Sequence, residues 1–155
     1  HGRTRSQFYF GNADYEQIRL AKEAVNIPII ANGDINSLEK AIEVLEYTKA
    51  DGIMLGRGAL GNPRLVTQID KYFENNEKVE DSTLLDQLNY LKMHFDELEK
   101  LKGEFKAFSE MRGLSSHYLK GFPGCKKFKV KFTQMKSKEE FYQILEEIKE
   151  QSEII

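Results

Sequence analysis

Apolar positions along this chain follow one grammar up to about residue 75 and another beyond it. In the first stretch, short apolar runs alternate with segments of helical spacing. Ile27-Pro28-Ile29-Ile30-Ala31 and Gly52-Ile53-Met54-Leu55 are each too short for a helix and aliphatic throughout, so each predicts a strand buried on both faces. Between them, 37–47 places Leu38, Ala41, Ile42 and Leu45 along one stripe, with Ser37 as N-cap. Upstream, Asp14 is set to cap a helix over 15–25 with Tyr15, Ile18, Ala21 and Val25 inward. Downstream, Pro63 precedes a helix over 65–73. Such αβ repeats predict an α/β domain with a parallel sheet, either closed as a (β/α)8 TIM barrel or open and doubly wound. The barrel is favoured, because barrels bind phosphate in the loops after their last strands. Gly56-Arg57-Gly58-Ala59-Leu60-Gly61 also matches the spacing of an open-sheet dinucleotide turn, but no following strand supplies the acidic residue that such a site needs.

From residue 75 the pattern turns helical throughout. A polar linker, 75–82, ends in Ser82 as a capping residue. Leu84, Leu88, Leu91, Phe95 and Leu98 then recur at alternating four- and three-residue steps, the core seam of a small bundle. Phe105, Phe108, Met111 and Leu119 mark a second helix, stopped by Gly121-Phe122-Pro123-Gly124. Phe128, Phe132 and Met135 mark a third. Phe141, Ile144, Leu145 and Ile148 mark a fourth, with Ser137 and Glu140 spaced as a capping box.

The glycine-rich strand ends carry the chemistry. Asn32-Gly33-Asp34 follows the first predicted strand and Gly56-Arg57-Gly58 the second. Bare glycines let main-chain N–H groups face an anion, and Arg57 adds fixed positive charge, a combination suited to phosphate. The formal charge of −2 argues against a wholesale polyanion binder but leaves room for local patches. One such patch is visible. Between Lys102 and Lys138 lie Lys106, Arg112, Lys120, Lys126, Lys127, Lys129, Lys131 and Lys136, opposed only by Glu104 and Glu110. This block suits a nucleic-acid backbone, or it is simply a solvated helical face. The last helix is acidic, with Glu139, Glu140, Glu146, Glu147, Glu150 and Glu153. The single cysteine, Cys125, excludes a disulfide framework and a cysteine zinc cluster and fits a reducing cytoplasm; in a basic inter-helix loop it reads as an ordinary thiol. There is no membrane-length apolar run and no signal peptide. The opening His1-Gly2-Arg3-Thr4-Arg5 suits a loop leaving an upstream strand, so the chain is expected to be the C-terminal part of a longer protein.

Five segments occur together in order: His1-Gly2-Arg3-Thr4-Arg5, Gly11-Asn12-Ala13-Asp14-Tyr15, IPIIANGDI over 27–35, ADGIMLGRGALGNP over 50–63, and Tyr118-Leu119-Lys120-Gly121-Phe122-Pro123-Gly124. As an ordered set they resemble the C-terminal half of a tRNA-dihydrouridine synthase. The resemblance implies the end of an FMN-binding barrel over 1–76 and a helical tRNA-binding domain over 77–155. It implies NADPH as reductant and a uridine of tRNA as substrate; no metal and no membrane are expected, and no obligate protein partner is implied. Carried over by position, Asn32, Gly33 and Asp34 would line the flavin phosphate and ribityl chain, Gly56 and Arg57 would close on the phosphate, and His1 would lie near the isoalloxazine ring. Arg3 and Arg5 would touch flavin or RNA phosphate. Arg112, Lys120, Lys126, Lys127 and Lys129 would meet tRNA. The family's proton-donor cysteine belongs to the first half of the barrel, so no catalytic residue is expected in this chain, and Cys125 does not match it. Met111-Arg112-Gly113-Leu114 departs from the family's usual Met-Arg-Lys-His, and Arg64 replaces an aromatic. Two other readings compete: a different FMN- or phosphate-binding barrel oxidoreductase, and a non-catalytic RNA-binding module.

Overall fold

A computed structural model describes residues 1–152. The chain divides into two compact units, His1–Ala59 with Pro63–Glu80, and Leu60–Asn62 with the chain from Asp81 onward. The described residues are mostly helical, with one two-stranded parallel sheet. Glu153, expected to continue the acidic last helix, lies outside the described residues.

The first unit contains α1 (Tyr15–Ala24), β1 (Ile30–Asn32), α2 (Leu38–Thr48), β2 (Gly52–Met54) and α3 (Arg64–Asn75). The helix starts follow from capping chemistry. The Asp14 carboxylate accepts the Glu16 N–H at 3.0 Å, and the Ser37 hydroxyl accepts the Lys40 N–H at 3.1 Å. β1 and β2 pair in register as Ile30↔Gly52, Ala31↔Ile53 and Asn32↔Met54. The shared core comprises Ile18, Ala31, Ile35, Ala41, Val44, Leu65 and Ile69.

Burial corrects the sequence reading in several places. Within this chain Ala31 and Ile53 point into the helical layer, whereas Ile30 and Met54 on the other face are exposed. The two short strands have one helical layer among the described residues, and side chains alternate toward it and away from it. On α1, Ile18 alone is fully buried, and Ala21 and Val25 face outward. On α2, Val44 and Thr48 join Ala41 at the centre, while Ile42 and Leu45 flank it. Thr48 is tolerated there because its hydroxyl donates to the Val44 carbonyl at 2.7 Å. The segment after α3 folds back on that helix, with Gln68 Nε2 donating to the Val79 carbonyl at 3.1 Å.

The second unit holds α4 (Leu84–Lys102), α5 (Glu104–Tyr118), α6 (Lys126–Gln134) and α7 (Lys138–Ser152). The cap of α4 is Thr83 rather than Ser82. Thr83 and Asp86 exchange hydrogen bonds at 3.1 and 2.9 Å, a complete capping box that Ser82 lacks the spacing to make. Of the predicted seam, Leu88, Leu91, Phe95 and Leu98 are buried and Leu84, in the first turn, only partly so. The seam packs on α7 through Phe95 and Phe141, whose rings stack at 4.2 Å between centroids, and Phe132 of α6 closes on Phe141 at 5.7 Å. Each such side chain contributes about 1.5–3 kcal/mol by leaving water. On α5, Phe108 and Met111 are buried but Phe105 is exposed, because the inward line runs through Ala107, Ser115 and Tyr118 instead. The α7 box is incomplete: Ser137 accepts the Glu140 N–H at 3.3 Å, whereas the Glu140 carboxylate reaches back to the Lys136 N–H. Cys125 is not a loop-surface thiol. It lies in the bundle core at the start of α6, where burial pushes its thiol pKa up, against the attraction of nearby Lys129.

Candidate functional site

Parallel pairing sends both strand ends out of the same edge of the sheet, so the loops after β1 and β2 leave side by side. Two contacts hold them together. Asn32 Nδ2 donates to the Met54 carbonyl at 2.8 Å. Gly58 sits so close to the turn after β1 that an added Cβ would overlap the Ile35 carbonyl oxygen and lie 3.0 Å from Asn36 Cα. The corners bearing Asn32, Gly33 and Asp34 and bearing Gly56 and Arg57 therefore form one surface.

The opening segment docks on that surface. Gly2 N–H donates to the Asn32 carbonyl at 3.3 Å, and Gly2 accepts the Asp14 N–H at 2.8 Å. His1 comes to rest against Gly33: a Cβ on Gly33, whose φ is +127°, would meet the imidazole Cε1 at 3.2 Å. His1 Nδ1 accepts the Arg3 N–H at 2.9 Å, so the neutral ring carries its proton on Nε2. Tyr15 clamps the same corner from α1, its hydroxyl donating to the Gly33 carbonyl at 2.7 Å. Burial, with smaller charge effects around it, pushes the Tyr15 hydroxyl pKa up and keeps it a donor.

Asp34 organises the charge. Its carboxylate receives two bonds from the Arg3 guanidinium, at 2.8 and 2.7 Å, and one from the Ala13 N–H at 2.8 Å. Burial alone would raise its pKa, but these partners and the charge of Arg57 outweigh it and hold the carboxyl below the usual range. Asp34 adopts φ +54°, a left-handed turn that an aspartate tolerates better than most residues. Arg3 is only 6% exposed and also donates to the Phe10 and Gly11 carbonyls. The guanidinium expected to touch flavin or RNA phosphate thus has its donors engaged with Asp34 and with main-chain carbonyls. Arg5 is exposed, on the short 3-10 turn Arg5–Gln7. Arg57 is exposed too, with its guanidinium 4.4 Å from the Tyr9 ring centroid.

In the helical unit the basic residues part company. Arg112 donates to the Met135 carbonyl at 2.6 Å and lies 5.3 Å over the Phe108 ring, so it braces the bundle instead of facing outward freely. Lys131 pairs with Glu147. Lys120, Lys126 and Lys127 are exposed and Lys129 half-buried. No group of three or more His, Cys, Asp and Glu side chains among the described residues is arranged to hold a metal, and no described helix is long and apolar enough to cross a membrane.

Sequence reasoning missed the roles of Tyr15, Ala13 and Tyr9. Tyr15 reads as an inward apolar position, and no spacing rule relates a residue at 9 to one at 57.

The dihydrouridine synthase (Dus) family profile matches residues 1–153. A probable tRNA-dihydrouridine synthase of Rickettsia bellii is 44% identical over 129 residues, covering 83% of this chain and 40% of the relative. One from Synechocystis is 40% identical over 147 residues, 95% of this chain and 41% of the relative. The tRNA-dihydrouridine synthase B of Shewanella oneidensis is 38% identical over 146 residues, 94% and 45% respectively. The chain thus spans about two-fifths of the length of these relatives. The match of nearly the whole chain places it plainly: this chain belongs to the dihydrouridine synthase family.

Proposed function

We propose that this chain supplies the end of an FMN-binding (β/α)8 barrel, over 1–76, and a helical tRNA-binding domain, over 77–155, to a cytoplasmic enzyme that reduces uridines of tRNA to 5,6-dihydrouridine with NADPH. The observation that carries it is the joined pair of strand ends, with Asn32 bonded to Met54 and Gly58 pressed on Ile35. Paired glycine-bearing corners beside an exposed arginine fit a flavin monophosphate. Relatives named as tRNA-dihydrouridine synthases support the substrate.

In this reading Asn32, Gly33 and Asp34 border the ribityl-phosphate end, Gly56 and Arg57 close on the phosphate, and His1 borders the ring. Asp34 acts mainly by fixing Arg3 and the loop at Ala13, because its oxygens are already engaged. When bound, a reduced flavin supplies hydride to the C5–C6 double bond of uracil. This chain's residues hold, orient and shield; none is assigned the proton-donor step. Lys120, Lys126, Lys127 and Lys129 offer charge to the tRNA backbone, and Arg5 does so beside the flavin site.

The direct test is conversion of uridine to dihydrouridine in tRNA by the enzyme that carries this chain, with NADPH and released FMN measured together. A colourless protein that cannot be reconstituted with FMN removes the flavin reading. Arg57→Ala is expected to weaken FMN retention by about 1–3 kcal/mol, the range of a charge-assisted bond. Unchanged affinity would mean that Arg57 serves only Tyr9. Neutralising Lys126, Lys127 and Lys129 is expected to lower the slope of log affinity for tRNA against log salt by up to about 0.9 per lysine in contact. Adding Lys131→Gln should change it little further, because that ammonium already has Glu147.

A further inference from the structure

Three consecutive aromatic side chains, Phe8, Tyr9 and Phe10, stand 71%, 73% and 81% exposed. They sit on a built loop. Thr4 and Gln7 close the turn before them, Phe10 N–H donates to the Gln7 carbonyl at 2.9 Å, and Phe8 is held at φ +47°, which a bulky residue adopts only when its surroundings impose it. Arg3 ties the loop to the end of β1, bonding the Phe10 and Gly11 carbonyls with the same guanidinium that grips Asp34. Arg57, from the corner after β2, lies over the Tyr9 ring, which stays mostly exposed. Rings displayed on a bonded loop that is joined to both strand-end corners are an interaction surface.

Its chemistry selects a partner. Arg57 brings an exposed cation against Tyr9, exposed Arg5 stands three residues before Phe8 in the same loop, and Asp34 is neutralised by Arg3. Flat π faces beside positive charge complement a polyanion that itself carries flat rings, which describes an unpaired stretch of nucleic acid. Resting on the tRNA-reductase reading above, we infer that Phe8, Tyr9 and Phe10 form a stacking platform for unpaired tRNA nucleobases at the mouth of the flavin corner, with Arg5 on an adjoining phosphate. The occupant that competes with RNA is a protein segment packed over the rings.

The test uses the enzyme that carries this chain, with Tyr9→Leu, the double variant Phe8→Leu/Phe10→Leu, and Tyr9→Trp. Leucine keeps apolar bulk and removes the stacking face; tryptophan keeps the face. Both leucine variants are expected to raise KM for tRNA roughly 5- to 150-fold, the range for losing a stacked base. In Phe8→Leu/Phe10→Leu, which leaves the Arg57–Tyr9 contact in place, flavin content and the rate of flavin reduction by NADPH should stay at wild-type values, and Tyr9→Trp should keep the wild-type KM. A wild-type KM in the leucine variants overturns the platform. So does a fall in flavin content and Tm together, which would mean that the rings pack on protein. Failure of wild-type enzyme to form dihydrouridine sinks the reductase reading instead. The platform is then judged on single-stranded oligouridine, which wild type should bind more tightly than Tyr9→Leu by the same factor; equal binding overturns it.

Discussion

Asp34→Ala will strand the Arg3 guanidinium in the fold and destabilise the first unit by about 2–4 kcal/mol. The range lies just below that for a fully buried pair, because Arg3 is 6% exposed but Asp34 27%. Three hydrogen bonds vanish together: two from Arg3 and one from the Ala13 N–H. The loss is larger than the worth of the pair, since the cation stays behind without its counter-charge. Arg3→Met added to Asp34→Ala should therefore recover part of the stability, as read by thermal unfolding. The same carboxylate predicts an acid dependence. Its folded pKa is depressed relative to the unfolded chain. The stabilisation is thus complete above the ordinary aspartate value of about 4 and is lost as pH falls through the folded value. Asp34→Asn should remove that component of the acid transition. A melting curve for Asp34→Ala within about 0.5 kcal/mol of wild type would mean that the Arg3 clamp carries no stability.

Gly58→Ala is expected to have the second-largest effect, and purely through space. Gly58 does not adopt a left-handed φ, so alanine suits its backbone; the obstacle is the Ile35 carbonyl oxygen, with Asn36 Cα and the Ile35 carbonyl carbon at 3.0 Å. All three are main-chain atoms of the turn after β1 and have no rotamer with which to move aside. The two corners must part, at a cost of about 1–3 kcal/mol in stability. Gly56→Ala is the internal control for stability. A Cβ there meets nothing within 4 Å, so its melting temperature should match or slightly exceed wild type. Equal behaviour of the two variants would show that the corners are not held by close packing.

Much of this site was legible as chemistry before it was legible as geometry. The glycine-rich ends at Asn32, Gly33 and Asp34 and at Gly56 and Arg57 stand out in the sequence, and a parallel unit puts two such ends side by side. The ordered motifs identified the family. The commitments of individual side chains were not visible. Arg3 and Arg5 stand two residues apart in one motif, yet Arg3 is drawn inward by Asp34, thirty-one positions away, while Arg5 faces solvent. Arg112 looked like one more cation in a basic block until the end of α6 brought the Met135 carbonyl to it.

By itself the sequence determined what period and capping control: the alternation of helices with two short strands, the starts of α1 and α2 at Asp14 and Ser37, and the buried seam of α4. These are local properties, set by residues within one or two turns of each other. Only the tertiary structure decided which face of β1 and β2 is covered, that Cys125 belongs to the core, and that Arg57 lies against Tyr9. Each of those outcomes depends on elements far apart in the chain meeting in space, and neither helical nor strand periodicity encodes which elements those will be.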